Sequence, residues 1–202
     1  MSQTSMPEAT VAPGSHIADP APLGLAAFAL TTFVLSMMNA DIVDKSATAV
    51  VFGLALAYGG IGQLVAGIWE FAKGNTFGST AFCSYGAFWI SYWYLTGHTD
   101  LSGAASANDL GNGIGLFLLA WGIFTLYMTV AATRVSAAVL AVFALLTLTF
   151  FALSIGEFAT SDGWTKLGGY LGLVTALAAW YASFAGVTNF TFKRMVLPTG
   201  PR

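Results

Sequence analysis

Charged and polar positions divide the chain into six long apolar stretches. No Asp, Glu, Lys or Arg occurs within residues 22–40, 46–69, 74–97, 110–133, 135–156 or 167–192. Each stretch is long enough to cross the hydrocarbon core of a bilayer as a helix, which takes roughly 20 residues. A transmembrane β-barrel would instead show alternating segments of roughly 10 residues. The pattern therefore predicts an all-α integral membrane protein with six transmembrane helices, spans 1 to 6.

The composition supports the same prediction. Of the 202 residues, 56% are hydrophobic and only 8% are charged, and the mean hydropathy is +0.74. A soluble domain usually carries about 25% charged residues, so this chain has too few to cover a surface that faces water. The lipid bilayer is the expected surrounding, and no nucleic acid is expected as a partner.

Charges are distributed unequally between the two sides of the membrane that six spans define. The side of the termini holds five of the seven basic residues, Lys73, Arg134, Lys193, Arg194 and Arg202. The other side holds six of the nine acids, Asp41, Asp44, Asp100, Asp109, Glu157 and Asp162. Because basic residues favour the cytoplasmic side, we expect a multi-pass protein of the plasma (inner) membrane with both termini cytoplasmic.

Three segments are predicted along the chain. Residues 1–18, rich in Ser, Ala, Pro and Thr, are expected to form a disordered cytoplasmic tail, 19–196 the transmembrane domain, and 197–202 a short, loose cytoplasmic tail. Spans 2, 4 and 6 are rich in small residues, which let helices approach closely in lipid. One interpretation is three pseudo-repeated helical hairpins around a central pathway. The other is that Gly and Ala are simply common in membrane helices.

Candidate enzyme chemistry is largely missing from the sequence. His16 lies in the expected tail and His98 in the loop after span 3, so the two are not placed to share a metal ion. The spans contain no evident acid–base pair. The chain is therefore not expected to be an enzyme, and neither a metal nor another cofactor is predicted.

Uncharged polar side chains lie inside the odd-numbered spans. The candidates for substrate binding among them are Thr31, Thr32 and Asn39 in span 1, Ser84 in span 3 and Thr147 in span 5. Such weak hydrogen-bonding groups would suit a small carboxylate such as acetate, because transport requires release as well as binding. The alternative is that each hydroxyl binds a carbonyl of its own helix.

Span 2 carries two further polar residues on one helical face. Gln63 and Glu70 are seven residues apart, and Lys73 follows Glu70 by one turn. One interpretation is that Glu70 is an interfacial acid paired with Lys73. The other is that Gln63 and Glu70 belong to an entrance or handle protons, because acids at membrane depth are costly and often functional.

The segment "DPAPLGL" at 19–25 resembles the NPAPLGL signature of the acetate uptake transporter family, the succinate/acetate permeases. Four further segments resemble the family in the right order: "FALTTFVL", "YGGIGQLVAGIWEFAKGNTFGSTAFCSYGAFW", "WGIFTLYM" and "FFALSIGEF". Together they cover spans 1 to 5, with span 6 weaker, and the combination is highly specific.

The resemblance implies a homo-hexamer with a pathway through each six-helix subunit. It implies uptake of acetate, and in some members of succinate, either coupled to protons or channel-like. It also implies a hydrophobic constriction formed by Phe28, Tyr85 and Leu146, one from each odd-numbered span. The signature positions Pro20, Pro22, Leu23 and Gly24 join the polar residues of the spans as candidate substrate-binding positions.

One position departs from the signature, because Asp19 stands where most of the family has Asn. Asp can cap a helix N-terminus, where its charge complements the helix dipole. A negative charge at the entrance would, however, repel a carboxylate unless it is screened or protonated. Asp19 is therefore expected to act mainly as a structural cap, with pH-sensitive entry as the alternative.

The sequence thus predicts a transporter of acetate and related small carboxylates. Two alternatives stay open at this point. One is a channel for another small solute, such as a different anion or ammonium. The other is a membrane assembly or sensor protein that transports nothing, which would explain the Gly-rich helix faces but not the polar and aromatic residues of spans 1, 3 and 5.

Overall fold

The computed structural model describes residues 16–103 and 106–201, and this part of the chain is helical. Its long helices are α1 (Ala21–Asn39), α4 (Thr76–Gly97), α5 (Ala107–Ala132), α6 (Ala137–Phe158) and α7 (Asp162–Thr191). Between α1 and α4 the chain forms a 3-10 turn (Lys45–Ala49), α2 (Val50–Leu56), a π-helical turn (Ala57–Gly62) and α3 (Gln63–Lys73). The tail expected over residues 1–18 lies mostly outside the described residues.

The six spans expected from the sequence are present as six helical segments. Five of them are long and apolar enough to cross a membrane, among them the continuous segment Lys45–Lys73. The sixth is α4, which is 22 residues long and contains no charged residue. The second span differs from a plain helix because the π turn interrupts it halfway.

Polar residues between the apolar stretches cap the helices. The side chains of Asn75, Ser106 and Ser136 accept hydrogen bonds from backbone N–H groups in the first turns of α4, α5 and α6. Gly74 ends α3 with a φ of 80°, a left-handed conformation that glycine adopts at little cost. The breaks in the hydrophobic pattern are therefore the helix ends.

The helices form a closed ring that is uneven at one place. Helix α1 packs on α7, α7 on α6, and α6 on α5, while α3 packs on α4 and the second span on α1. The backbones of α4 and α5 approach each other far less closely, and aromatic side chains fill the space between them. Because one of the three expected hairpins is this loose pair, the hairpin repeat stays a prediction.

The start of α1 and the end of α7 lie together at one end of the ring. The Ser183 hydroxyl donates to the Pro22 carbonyl over 2.6 Å. We call this the terminal end of the bundle and the opposite one the far end.

The chain after α7 is held in place rather than loose. The Asn189 carboxamide accepts from the backbone N–H groups of Val196 and Leu197 and donates to the Leu197 carbonyl. Further along, the carbonyls of Thr199 and Gly200 accept from the first N–H groups of α6. The loose tail expected at 197–202 is therefore wrong for residues 197–201, because these residues supply the hydrogen bonds that the α6 terminus needs.

We predict that Asn189→Ala releases this segment. The variant removes three hydrogen bonds at once, so residues 196–201 should become the first site of proteolytic trimming in detergent-solubilised protein. Mass spectrometry after limited digestion measures the cut site. Thr191→Ala on the same helix turn is the control and should leave digestion unchanged. Equal protection in Asn189→Ala and the unmodified chain would contradict the assigned role.

Candidate functional site

Three cavities follow one another along the axis of the ring. The terminal cavity has a volume of about 70 Å³, the central cavity about 20 Å³ and the far cavity about 200 Å³. The terminal and central cavities share the lining residues Leu25, Ala81, Phe82 and Phe143. The far cavity begins one turn beyond the central one on α4 and α6, at Phe88 and Phe150. Helices α1, α4 and α6, which are the odd-numbered spans, contribute at every level.

The central cavity brings together the three residues expected at a constriction. Phe28, Tyr85 and Leu146 all line it and are at most 5% exposed. The rings of Phe28 and Tyr85 lie 5.9 Å apart between centroids. A cavity of this volume holds about one water molecule, so this is the narrowest point among the three cavities.

Tyr85 is fixed from several directions. Its ring packs against Trp121 and Phe124 of α5 and against Phe143 of α6. Its hydroxyl lies 2.9 Å from Oγ1 of Thr125, which in turn donates to the Trp121 carbonyl. That chain of bonds leaves the Tyr85 hydroxyl as the donor to Thr125, so Tyr85 presents its ring rather than a free hydroxyl to the cavity.

The terminal cavity contains a carboxylate. Glu70 is fully buried, and its Oε2 accepts from the Asn75 carboxamide over 2.9 Å. The pairing of Glu70 with Lys73 considered from the sequence is wrong, because Lys73 instead binds Asp19 over 2.7 Å. The other oxygen of Glu70, Oε1, has no hydrogen-bond partner within the described chain.

Asp19 supports the start of α1 and also forms an ion pair, while its expected effect on the pH dependence of entry stays a prediction. One of its oxygens accepts from the Ala21 backbone N–H over 3.3 Å, so it assists the start of α1, although Pro20 occupies the cap position itself. The same oxygen binds Lys73. A cation therefore stands beside the charge that would otherwise repel an approaching carboxylate.

The far cavity is lined by Asn39, Tyr92, Thr96, Glu157 and Thr165 among apolar residues. Two ion pairs stand at the same end of the bundle, Lys45 with Asp162 and Lys166 with Asp41. The hydrogen bond from Lys166 holds the pKa of the Asp41 carboxyl below its usual value. The far end of the bundle is therefore polar, and two of its acids are paired with lysines.

Most of the expected hydroxyl positions lie away from the axis. Thr31 donates to the Ala27 carbonyl, and Thr147 donates to the Phe143 carbonyl. Both follow the alternative in which a hydroxyl binds its own helix, and neither lines one of the three cavities. Ser84 is half-buried and is likewise outside their linings. Thr32 differs, because it is buried and its hydroxyl has no partner in the part of the chain described.

The signature residues mainly set how helices pack. Pro22 packs under Gly186 of α7, where an added Cβ would lie 2.9 Å from the proline ring. Gly24 lies against the Phe82 ring, which lines the central cavity. Leu23 is 43% exposed on the outer surface, so its side chain is not placed to contact a substrate on the axis. Pro20 is buried at the start of α1.

One expected position is corrected, and two lining residues are added. Gln63, predicted to belong to an entrance or to handle protons, does not lie at an entrance but lines the central cavity together with Phe28 and Tyr85. Phe82 and Phe143 complete that cavity and were missed from the sequence. A signal existed for Phe82, because it precedes Tyr85 by three residues and so shares its helical face.

Comparisons with known proteins agree with this architecture. The family model described as the GPR1/FUN34/yaaH family matches residues 1–201. The succinate-acetate/proton symporter SatP of Escherichia coli K12 is 38% identical over 188 residues, which cover 92% of this chain and 97% of that protein. The solved structure of the bacterial acetate channel SatP superimposes with a TM-score of 0.82 at 36% identity, covering 91% of this chain and 99% of that one.

A fungal relative carries a different name. Ammonia transport outward protein 2 of Saccharomyces cerevisiae is 45% identical over 194 residues, covering 92% of this chain. The chain spans about two thirds of the length of that protein, 67%. Similar chains are thus named for two different solutes.

We predict that Thr125→Val weakens the fold at the central cavity. The variant leaves the buried Tyr85 hydroxyl without its partner, which should cost about 1 kcal/mol of stability in a membrane helix bundle. Thermal unfolding in detergent measures the change. Thr129→Val is the matched control one turn away, because its partner Thr147 keeps a bond to the Phe143 carbonyl. An equal or smaller loss for Thr125→Val would argue against the Tyr85–Thr125 bond as a support.

Proposed function

We propose, from the premise that this chain belongs to the GPR1/FUN34/yaaH family, that it transports acetate and related small carboxylates, with succinate as a further candidate substrate. The observation that carries the proposal is the row of three cavities closed at the middle by Phe28, Tyr85 and Leu146. The names of the E. coli symporter and of the bacterial channel support acetate as the solute.

In this proposal the central cavity acts as a desolvating gate. Its lining is almost wholly apolar, so a hydrated inorganic ion gains little there to replace its water. Acetate, or its neutral acid, places a methyl group against these side chains and exposes only one polar end. The absence of a lysine or arginine from the lining of the central cavity also suits rapid release, because a fixed buried cation would retain the carboxylate.

Orientation, coupling and assembly belong to the same proposal. The excess of basic residues on the side of the termini supports cytoplasmic termini in the plasma membrane. Glu70, buried in the terminal cavity with one oxygen unpartnered, is the group we assign to proton handling. Apolar side chains on the outer surface, such as Phe190 and Leu177, are compatible with lipid or with neighbouring subunits of a homo-hexamer.

Ammonia is the second candidate solute, favoured by the name of the fungal relative. The gate is compatible with it, since a small neutral molecule also passes an apolar constriction. The two solutes place opposite demands on the mouths, because ammonium is attracted by acids and acetate is repelled by them. The pairing of Asp19 with Lys73 favours the carboxylate.

We predict that proteoliposomes containing the protein take up labelled acetate faster than empty vesicles. Uptake should fall when unlabelled acetate or succinate competes, and fall less with ammonium. A flux equal to that of empty vesicles at both acidic and neutral pH would overturn the proposed function. Selective competition by ammonium would transfer the proposal to the second solute.

We predict that Leu146→Ala widens the gate. Loss of the buried isobutyl group should raise succinate flux relative to acetate flux by several-fold, because the larger solute is the more obstructed. The ratio of the two fluxes in one preparation measures the change. Leu148→Ala is the matched control on the same helix, since Leu148 is 54% exposed on the outer surface. An unchanged ratio in Leu146→Ala would remove Leu146 from the constriction.

A further inference from the structure

Gln63 occupies an unusual place for a polar residue. Its side chain is 1% exposed and lines the central cavity. Its carboxamide oxygen is buried and has no hydrogen-bond partner within the described residues. Burying an amide without a partner is costly, so a chain keeps such a group where something other than packing requires it.

The surroundings make Gln63 the free polar group of that cavity. The rest of the lining is hydrocarbon and aromatic ring, contributed by α1, α4 and α6. Tyr85 is the one other lining residue with a polar side chain, and its hydroxyl is bound to Thr125. A solute passing Phe28 therefore meets one carboxamide that is not already engaged.

The backbone is built to place Gln63 there. The buried positions Val51 and Ala55 are four apart, whereas Ala55 and Gln63 are eight apart, which would offset Gln63 from Ala55 by about 80° around an uninterrupted α-helix. The π turn between them accommodates one extra residue. It thereby rotates Gln63 back onto the helical face of Ala55. Glu70, seven residues after Gln63, lies on the same face.

Close packing holds the π turn in that position. An added Cβ at Gly59 would lie 2.7 Å from the Thr31 hydroxyl oxygen of α1, and one at Gly60 would lie 2.7 Å from Ile90 of α4. A Cβ added at Gly86 of α4 would lie 2.9 Å from the Gly60 carbonyl oxygen. Gly59, Gly60 and Gly86 therefore let α1 and α4 clamp the wide turn immediately before Gln63.

We propose that Gln63 is a specificity-determining residue whose carboxamide replaces water on the polar end of the solute within the constriction. A carboxamide both donates and accepts hydrogen bonds, so it can serve a carboxylate or a neutral carboxylic acid. Being uncharged, it offers this contact without retaining the anion. The inference rests on the proposed function and adds to it the group that compensates desolvation at the gate.

Two variants test the assignment in acetate-loaded proteoliposomes. Gln63→Leu keeps a similar size but removes both the donor and the acceptor, and it should lower acetate flux about tenfold, the effect of losing one hydrogen bond to a charged or polar solute. Gln63→Glu keeps the shape and adds a titratable group. Its flux relative to the unmodified chain should be low at neutral pH, where an ionised Glu repels the anion, and should recover at acidic pH, where the protonated form again donates and accepts.

The pH readout separates solute contact from a purely structural role. Tyr85, on α4, is the other titratable group that lines this cavity; α1 and α6 contribute apolar residues to it, and Glu70 lies two turns along α3 toward the terminal end. Thr175→Val is the control, since Thr175 is a fully buried hydroxyl residue of α7 outside the cavity linings, and it should retain flux. Elution as a single species by size exclusion establishes that each variant is folded.

The outcomes distinguish this inference from the function on which it rests. Acetate flux in the unmodified chain together with undiminished flux in Gln63→Leu overturns the role of Gln63 and leaves the proposed function in place. If Gln63→Leu fails to fold, a Gln63→Glu flux ratio that does not change with pH overturns the inference by itself. If the unmodified chain gives the same acetate flux as empty vesicles, both the role of Gln63 and the proposed function are overturned.

Discussion

The packing around Tyr85 is the constraint on which the bundle depends. Its ring contacts Phe28 of α1, Trp121 and Phe124 of α5, and Phe143 of α6, with centroid distances between 5.4 and 6.2 Å. Without a hydrophobic drive between helices in lipid, close packing and hydrogen bonds have to hold them together. Where the backbones of α4 and α5 stay apart, large aromatic side chains fill the space in place of close helix contact. The side chains that hold the helices together are therefore also those that line the central cavity.

This coincidence explains why the central cavity is small while the cavities beside it are larger. Aromatic rings that join four helices cannot retreat without opening the space between α4 and α5, so they define a fixed aperture rather than a loose plug. In the proposed pathway, size selection therefore comes from Phe28 and Tyr85, which are held by neighbours. Leu146 is a flexible aliphatic residue, so it is the part of the aperture that can vary most.

The sequence was sufficient for features that depend on local chemistry. Charge-free stretches marked the spans because lipid excludes unpaired charge, and Asn75, Ser106 and Ser136 at the breaks became caps. Prediction from the sequence failed where a residue's partner comes from a distant segment of the chain. Helical spacing put Lys73 next to Glu70, but Asp19, 54 residues earlier, takes that lysine. The position of Gln63 was equally hidden, since a regular 3.6-residue period contains no sign of a π turn, and the pinning of 197–201 depends on Asn189 meeting a segment that follows it.

The departure of Asp19 from the family signature now has a physical account. An Asn at this position could still accept from the Ala21 N–H, but it could not neutralise Lys73 in the same way. The charge of Asp19 and the charge of Lys73 cancel at the terminal mouth, whereas Glu70 deeper inside is left to the neutral Asn75 carboxamide. The cation is thereby kept at the surface, where water screens it, and away from the cavity, where it would hold a carboxylate. Apart from Glu70 and Glu157, the three cavities are lined by uncharged polar groups and apolar side chains, which in the proposed pathway favours passage over retention.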